Sequence, residues 1–228
     1  MTAPSARRPR PTTRLMVAGA LLVALLGAGV AVAATLGVSS TKLTTSTAAS
    51  SIAPTTCTLS AADADSYVDQ ASTGSSFGTA TSFEVRSQSS SRNRRAFVQF
   101  SLAACSIPAN ALITAASLKL FMFTAPTASR TYEAHLVSAA WTETGVTWTN
   151  QPAVGTLTAS TATGTTANVT LTWAVTADVQ AFVDGTTNRG WRIKDQTESS
   201  APTRNAVFRS AEYGTASQRP VLEVTYYP

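Results

Sequence analysis

The chain is predicted to fold as an all-β, jelly-roll-type antiparallel β-sandwich carrying one short helix. Three observations support this: many short runs alternate in polarity, clusters of Gly, Pro, Asn and Ser break them, and one stretch alone has helical spacing. Period-two alternation rich in β-branched and aromatic residues marks a half-buried strand. Many such runs without long helices between them build a sandwich or a barrel.

In chain order, SFEVRS (82–87) and RAFVQFSL (95–102) alternate, and ITAASLKLFMF (113–123) is a longer run. TYEAHLV (131–137), NVTLTW (168–173), GWRIK (190–194), AVFRS (206–210) and VLEVTYY (221–227) follow. The helical exception is TADVQAFVDG, where Val179, Phe182 and Val183 share one face. Thr176 is placed to cap its start and Gly185 to end it, which closes one end of the sandwich.

Alternation also assigns faces. Ala96, Val98 and Phe100 are expected inward, as are Leu118, Leu120 and Met122, and Leu222, Val224 and Tyr226. The opposite parity carries Arg95, Phe97 and Gln99, then Lys119 and Phe121, with His135 on a third strand. These residues are expected on one sheet face. Rings there would stack on sugar C–H surfaces while polar groups bond hydroxyls or carboxylates. The alternative is that a loop covers Phe97 and Phe121.

Ahead of the sandwich, Arg7, Arg8, Arg10 and Arg14 precede LMVAGALLVALLGAGVAVAA, with Ala31-Val32-Ala33 near its end. Residues 1–33 read as a secretory signal. An uncleaved anchor is the alternative, since the apolar stretch is long enough to span a bilayer; a membrane partner is expected only in that case. Residues 34–56, rich in Thr, Ser and Ala, lack the apolar groups to order themselves and read as a linker. Residues 57–228 are long enough for one domain with a substantial core.

The signal accounts for most of the excess charge. Of 17 basic residues four belong to it, leaving 13 against 12 acidic ones. So even a balance offers no dense phosphate-neutralising patch, and nucleic acid is excluded as a partner. Export places the two cysteines, Cys57 and Cys105, in an oxidising compartment where one disulfide is the simplest outcome. Two thiols and the single histidine cannot complete a four-ligand zinc site.

The run RRAFVQFSLAACSIPANALITAASLKLFMF resembles the stretch of DNRLRE-type modules in which an arginine-led strand ends in Phe-x-Leu and an IPxxAxIxxAxLxL segment follows. The resemblance continues in order through WTETGVTWTNQP, VTADVQAFVDGTTNRGWRIK and VFRSAEYGTASQRPVLEVTYY, spanning most of residues 62–227. Such modules are similar to carbohydrate-binding module family 96. The resemblance implies a jelly-roll sandwich on a secreted, often polysaccharide-directed protein. Gln99 departs from the pattern, standing where an arginine is common.

WTETGVTWTNQP (141–152) has the composition of a packed corner: Trp141 and Trp148 supply buried area, Thr and Asn satisfy backbone groups, and Pro152 ends the pairing. Stacking of these tryptophans on a ligand is the alternative. Catalysis finds little support. His135 is the lone histidine, no GxSxG elbow is present, and nothing in their context singles out Glu143 and Asp178 as a glycosidase pair. No organic cofactor is expected. Asp63, Asp65 and Asp69 in DADSYVD are candidate calcium ligands, with turn formation or capping as the alternative. Two functional readings follow. One is a secreted or surface-attached, non-catalytic module that binds an extracellular polysaccharide, neutral or acidic. The other is a structural or adhesive surface protein that recognises no sugar.

Overall fold

A computed structural model describes residues 53–228. The predicted signal or anchor, 1–33, and nearly all of the predicted linker lie outside the described residues. Eleven antiparallel strands follow one another as β1 (Thr55–Leu59), β2 (Ala64–Asp69), β3 (Ser82–Ser87), β4 (Arg94–Gln99), β5 (Leu112–Thr124), β6 (Thr131–Val137), β7 (Val154–Ala162), β8 (Val169–Ala174), β9 (Trp191–Asp195), β10 (Arg204–Arg209) and β11 (Val221–Tyr227). The helix α1 (Thr176–Val183) lies between β8 and β9. The chain is the all-β sandwich expected. Strands β1, β2 and β7 were not among the sequence runs, and β1 begins inside the segment read as linker.

The strands form one curled sheet in the order β1-β11-β5-β10-β3-β4-β9-β6-β7, with β8 added beside β5 and β2 beside β4. Its two halves meet at β3 and β4, which share a single paired position, Arg86 opposite Arg94. One core fills the space between the halves. The inward residues of β4, Ala96 and Val98, with Phe100 just beyond the strand, are inaccessible to solvent, as are Leu118, Leu120 and Met122 of β5. Leu222, Val224 and Tyr226 of β11 complete that set, so the parity reading of the core holds.

Large aromatics carry their polar ends into this core and find partners there, as buried polar groups must. Tyr132 donates its hydroxyl to the Val85 carbonyl at 3.0 Å, and Trp173 Nε1 donates to the Tyr132 carbonyl at 3.0 Å. Trp191 Nε1 donates to Asp178 Oδ2 at 2.7 Å, fixing α1 to β9. Val179 and Phe182 supply the buried face of α1, as its spacing predicts. Its start differs from expectation. Val175 is the N-cap residue, and Thr176 instead accepts the Ala116 N–H at 3.0 Å, tying α1 to β5. Gly185, with φ +103°, ends the helix as predicted. Gly190 also requires a positive φ, +72°, and a Cβ there would collide with the Val98 carbonyl where β9 approaches β4. The disulfide joins Cys57 of β1 to Cys105, with Cα atoms 5.6 Å apart. Among the described residues, no helix is long and apolar enough to cross a membrane.

Candidate functional site

The outward residues divide between the two halves of the sheet. Phe97 of β4 lies opposite Arg192 of β9, and Arg192 lies opposite His135 of β6, so these share one face with Arg95 and Gln99. Lys119 and Phe121 stand on β5, which reaches β4 only through β10 and β3. The six residues expected on one face therefore form two groups. Strand parity says which way a side chain points from its own sheet, not which half of the sandwich its strand joins.

The first group is largely occupied with packing and internal bonds. Phe97 is inaccessible to solvent, buried with Val68, Val137 and Val146 in a second apolar cluster against which Trp141, Trp148 and Val154 pack. Its ring meets that of Trp141 at a centroid distance of 5.6 Å. A ring with no exposed face is no stacking surface, and the loop-covered alternative describes it. The covering loop joins β6 to β7 and contains the stretch 141–152. It is less a corner than a flap laid over the outward face. Trp141 Nε1 donates to the Arg189 carbonyl at 2.9 Å. Asn150 accepts the Thr147 N–H at 2.6 Å and donates to the Gly145 carbonyl at 2.9 Å, the local satisfaction its composition predicts.

Arg95 grips Glu198 through Nε and Nη2 at 2.7 and 2.6 Å, and donates from Nη1 to Gln151 at 2.9 Å. Its guanidinium lies 4.5 Å from the ring centre of Trp148. Gln99 donates to the Asn188 carbonyl at 3.0 Å and lines a cavity of about 310 Å³ with Ser101, Phe182 and Asn188. His135 Nε2 is 3.1 Å from Glu133, and Lys194 approaches the same carboxylate at 3.4 Å. Burial opposes ionisation of Glu133, but the bond from His135 and the Lys194 ammonium outweigh it and hold its pKa below the usual carboxylate range.

The second group is more open. Lys119 pairs with Glu223 of β11 at 3.1 Å, while Phe121 and Phe123 stand partly exposed along the outward side of β5. Arg209 of β10 lies between two rings, its guanidinium carbon 3.6 Å from the centre of Phe123 and 3.8 Å from that of Tyr213. Such contacts are favourable but leave the edge of the guanidinium unbonded. Arg209 Nε is buried without an acceptor. Phe123, Arg209 and Tyr213 were missing from the sequence candidates. Phe123 shares the parity of Phe121 and could have been found that way; Arg209 could not, because its place depends on β10 pairing with β5.

The acidic residues of DADSYVD have separate duties. Asp69 bonds Arg86 at 3.3 Å and Arg94 at 2.6 Å, and Asp63 accepts the Ser101 N–H at 2.6 Å. Neither joins Asp65 in a ligand set. Instead, carboxylate oxygens of Asp65, Glu143 and Glu212 lie within 4.8 Å of one another, hard donors of the kind calcium takes. Asp65 Oδ2 accepts the Ala211 N–H at 2.7 Å, and Glu143 Oε1 accepts the Asp65 N–H at 3.0 Å. Burial, opposed by the Ala211 bond and reinforced by the charges of Glu212 and Glu143, pushes the Asp65 pKa to about 8.

The family model of carbohydrate-binding module family 96 matches residues 56–226. No curated protein matches the chain.

Proposed function

Because the chain belongs to carbohydrate-binding module family 96, we propose that it is a secreted or surface-attached, non-catalytic module that binds an extracellular polysaccharide through the outward side of β5 and β10. The observation behind this reading is the partly exposed pair Phe121 and Phe123 beside an Arg209 guanidinium that lies between two rings and whose Nε has no acceptor. Partly exposed rings provide apolar area for the C–H face of a sugar. The Nη groups of Arg209 provide donors for hydroxyl or carboxylate oxygens. Lys119, paired across the surface with Glu223, adds charge that salt screens readily.

The test is affinity electrophoresis through gels containing neutral or acidic polysaccharides. Phe121→Ala should lose retardation while melting as the parent does. Lys119→Ala should weaken retardation only by an acidic polymer, and added salt should reproduce that loss. If both variants are retarded like the parent by every polymer, the platform is wrong. If the parent is retarded by none, the structural or adhesive reading takes its place.

A further inference from the structure

We propose that Arg192 anchors a second ligand site, on the outward face of the β4-β9-β6 half, that accepts one carboxylate or sulfate group carried by a saccharide. Arg192 occupies the middle strand of that face, opposite Phe97 on one side and His135 on the other. The charged groups around it are committed elsewhere: Arg95 holds Glu198, and His135 and Lys194 both turn to Glu133. Of these neighbouring charged groups, Arg192 is the one whose side chain makes no hydrogen bond or ion pair with the described residues, and its Nε is buried with no acceptor. The Nη groups are not among the buried orphans, so they reach solvent, where a ligand can meet them.

A guanidinium drawn partly out of water without an acceptor is destabilising until something supplies one. The surroundings add to that cost. Three cations, Arg95, Arg192 and Lys194, face two carboxylates, Glu133 and Glu198, which leaves one positive charge uncompensated. Burial and the nearby Arg95 lower the pKa of Arg192 to about 10, which still leaves it charged at neutral pH. A planar oxyanion matches the guanidinium fork with two parallel bonds and cancels the charge as well. A sugar hydroxyl could provide the bond but not the charge. The site lies on a different half of the sheet from Phe121 and does not rest on the reading given for that surface.

The test uses the ¹⁵N-resolved arginine Nε–Hε resonances of the protein as purified, titrated separately with sodium glucuronate, sodium sulfate and glucose at constant ionic strength. The Arg192 signal is the one that Arg192→Lys removes; should that variant not fold, through-bond correlation in the parent assigns it. The expected result is a saturable shift of the Arg192 signal with glucuronate, sulfate or both, none with glucose, and no comparable shift of Arg130, whose guanidinium is already held by Asp195. Movement with glucuronate identifies the carboxylate and movement with sulfate the sulfate ester. No shift with either anion, the same shift with glucose, or a shift shared equally by Arg130 overturns the proposal.

Discussion

Replacing Phe97 by alanine tests whether the flap between β6 and β7 covers a true second core. Phe97, Val68, Val137 and Val146 are each almost fully hidden from solvent, beneath Trp141 and Trp148. Truncating a buried phenylalanine costs roughly 3–5 kcal/mol, with the larger values where the surroundings cannot close the cavity. The flap is held independently of that ring at several points. Trp141 bonds the Arg189 carbonyl at 2.9 Å, Thr149 bonds the Thr73 carbonyl through N and Oγ1 at 3.1 and 3.0 Å, and Glu143 holds the Asp65 N–H at 3.0 Å. So pinned, it cannot settle into the space, and a loss of about 4 kcal/mol is expected. Urea unfolding followed by tryptophan fluorescence and by far-ultraviolet circular dichroism measures it. Trp141 and Trp148 report the flap, Trp173 and Trp191 the main core, and both signals should shift to lower urea together. Phe97→Leu should cost less than half as much. A loss below about 1 kcal/mol at unchanged slope would refute the packing argument and return Phe97 to the set of ligand-facing rings.

Other outcomes follow from the same geometry. Intact mass without reductant should be two hydrogens below that of the reduced chain, and Cys57→Ser with Cys105→Ser should lower stability by up to about 4 kcal/mol for the closed loop; free thiols in the oxidised protein would refute the link. In a chelating buffer, folded Asp65 keeps a proton that the unfolded chain gives up near pH 4, so its contribution to stability falls as pH rises from about 4 to about 8. Asp65→Asn should flatten that part of the melting profile, and an unchanged profile would count against the burial of the carboxyl. Glu133 behaves oppositely: its pKa is held low, so its contribution is present above the ordinary carboxylate range and disappears as the medium is acidified through its folded value. Glu133→Gln should therefore destabilise at neutral pH and matter little in acid, as thermal melts across that range would show.

Much of the fold was legible because most strands have one covered face. In β11, and in β5 from Ala116 to Met122, the inward residues alternate without a break, and the ends of β3, β6 and β11 coincide with those read from the sequence. Strand β2 hid because both its faces are covered: Val68 lies under the flap, while Asp69 enters the arginine network. Burial then no longer follows period two. Strand β7, VGTLTASTA, hid for the opposite reason, being largely exposed with no apolar face to show. The candidate site was legible only within strands. That Lys119 and Phe121 point away from the core follows from parity, whereas the company each keeps depends on which strands pair at long range. Arg209 between Phe123 and Tyr213 is of the second kind.

The disulfide acquires a mechanical meaning from where it lies. Thr55 pairs with Tyr226, so the chain enters the sandwich beside the place where its last strand ends. Among the described residues, strand β1 is at the edge of the sheet, with β11 its one paired neighbour and most of its side chains exposed. Tension on the preceding chain would peel such a strand away pair by pair, the easiest way to break a ladder. Here the peeling stops after Thr55 and Thr56, because Cys57 is bonded to the buried Cys105. Beyond that point the load passes through a covalent bond into the body of the fold, and the outward faces of β5 and β9 stay in place.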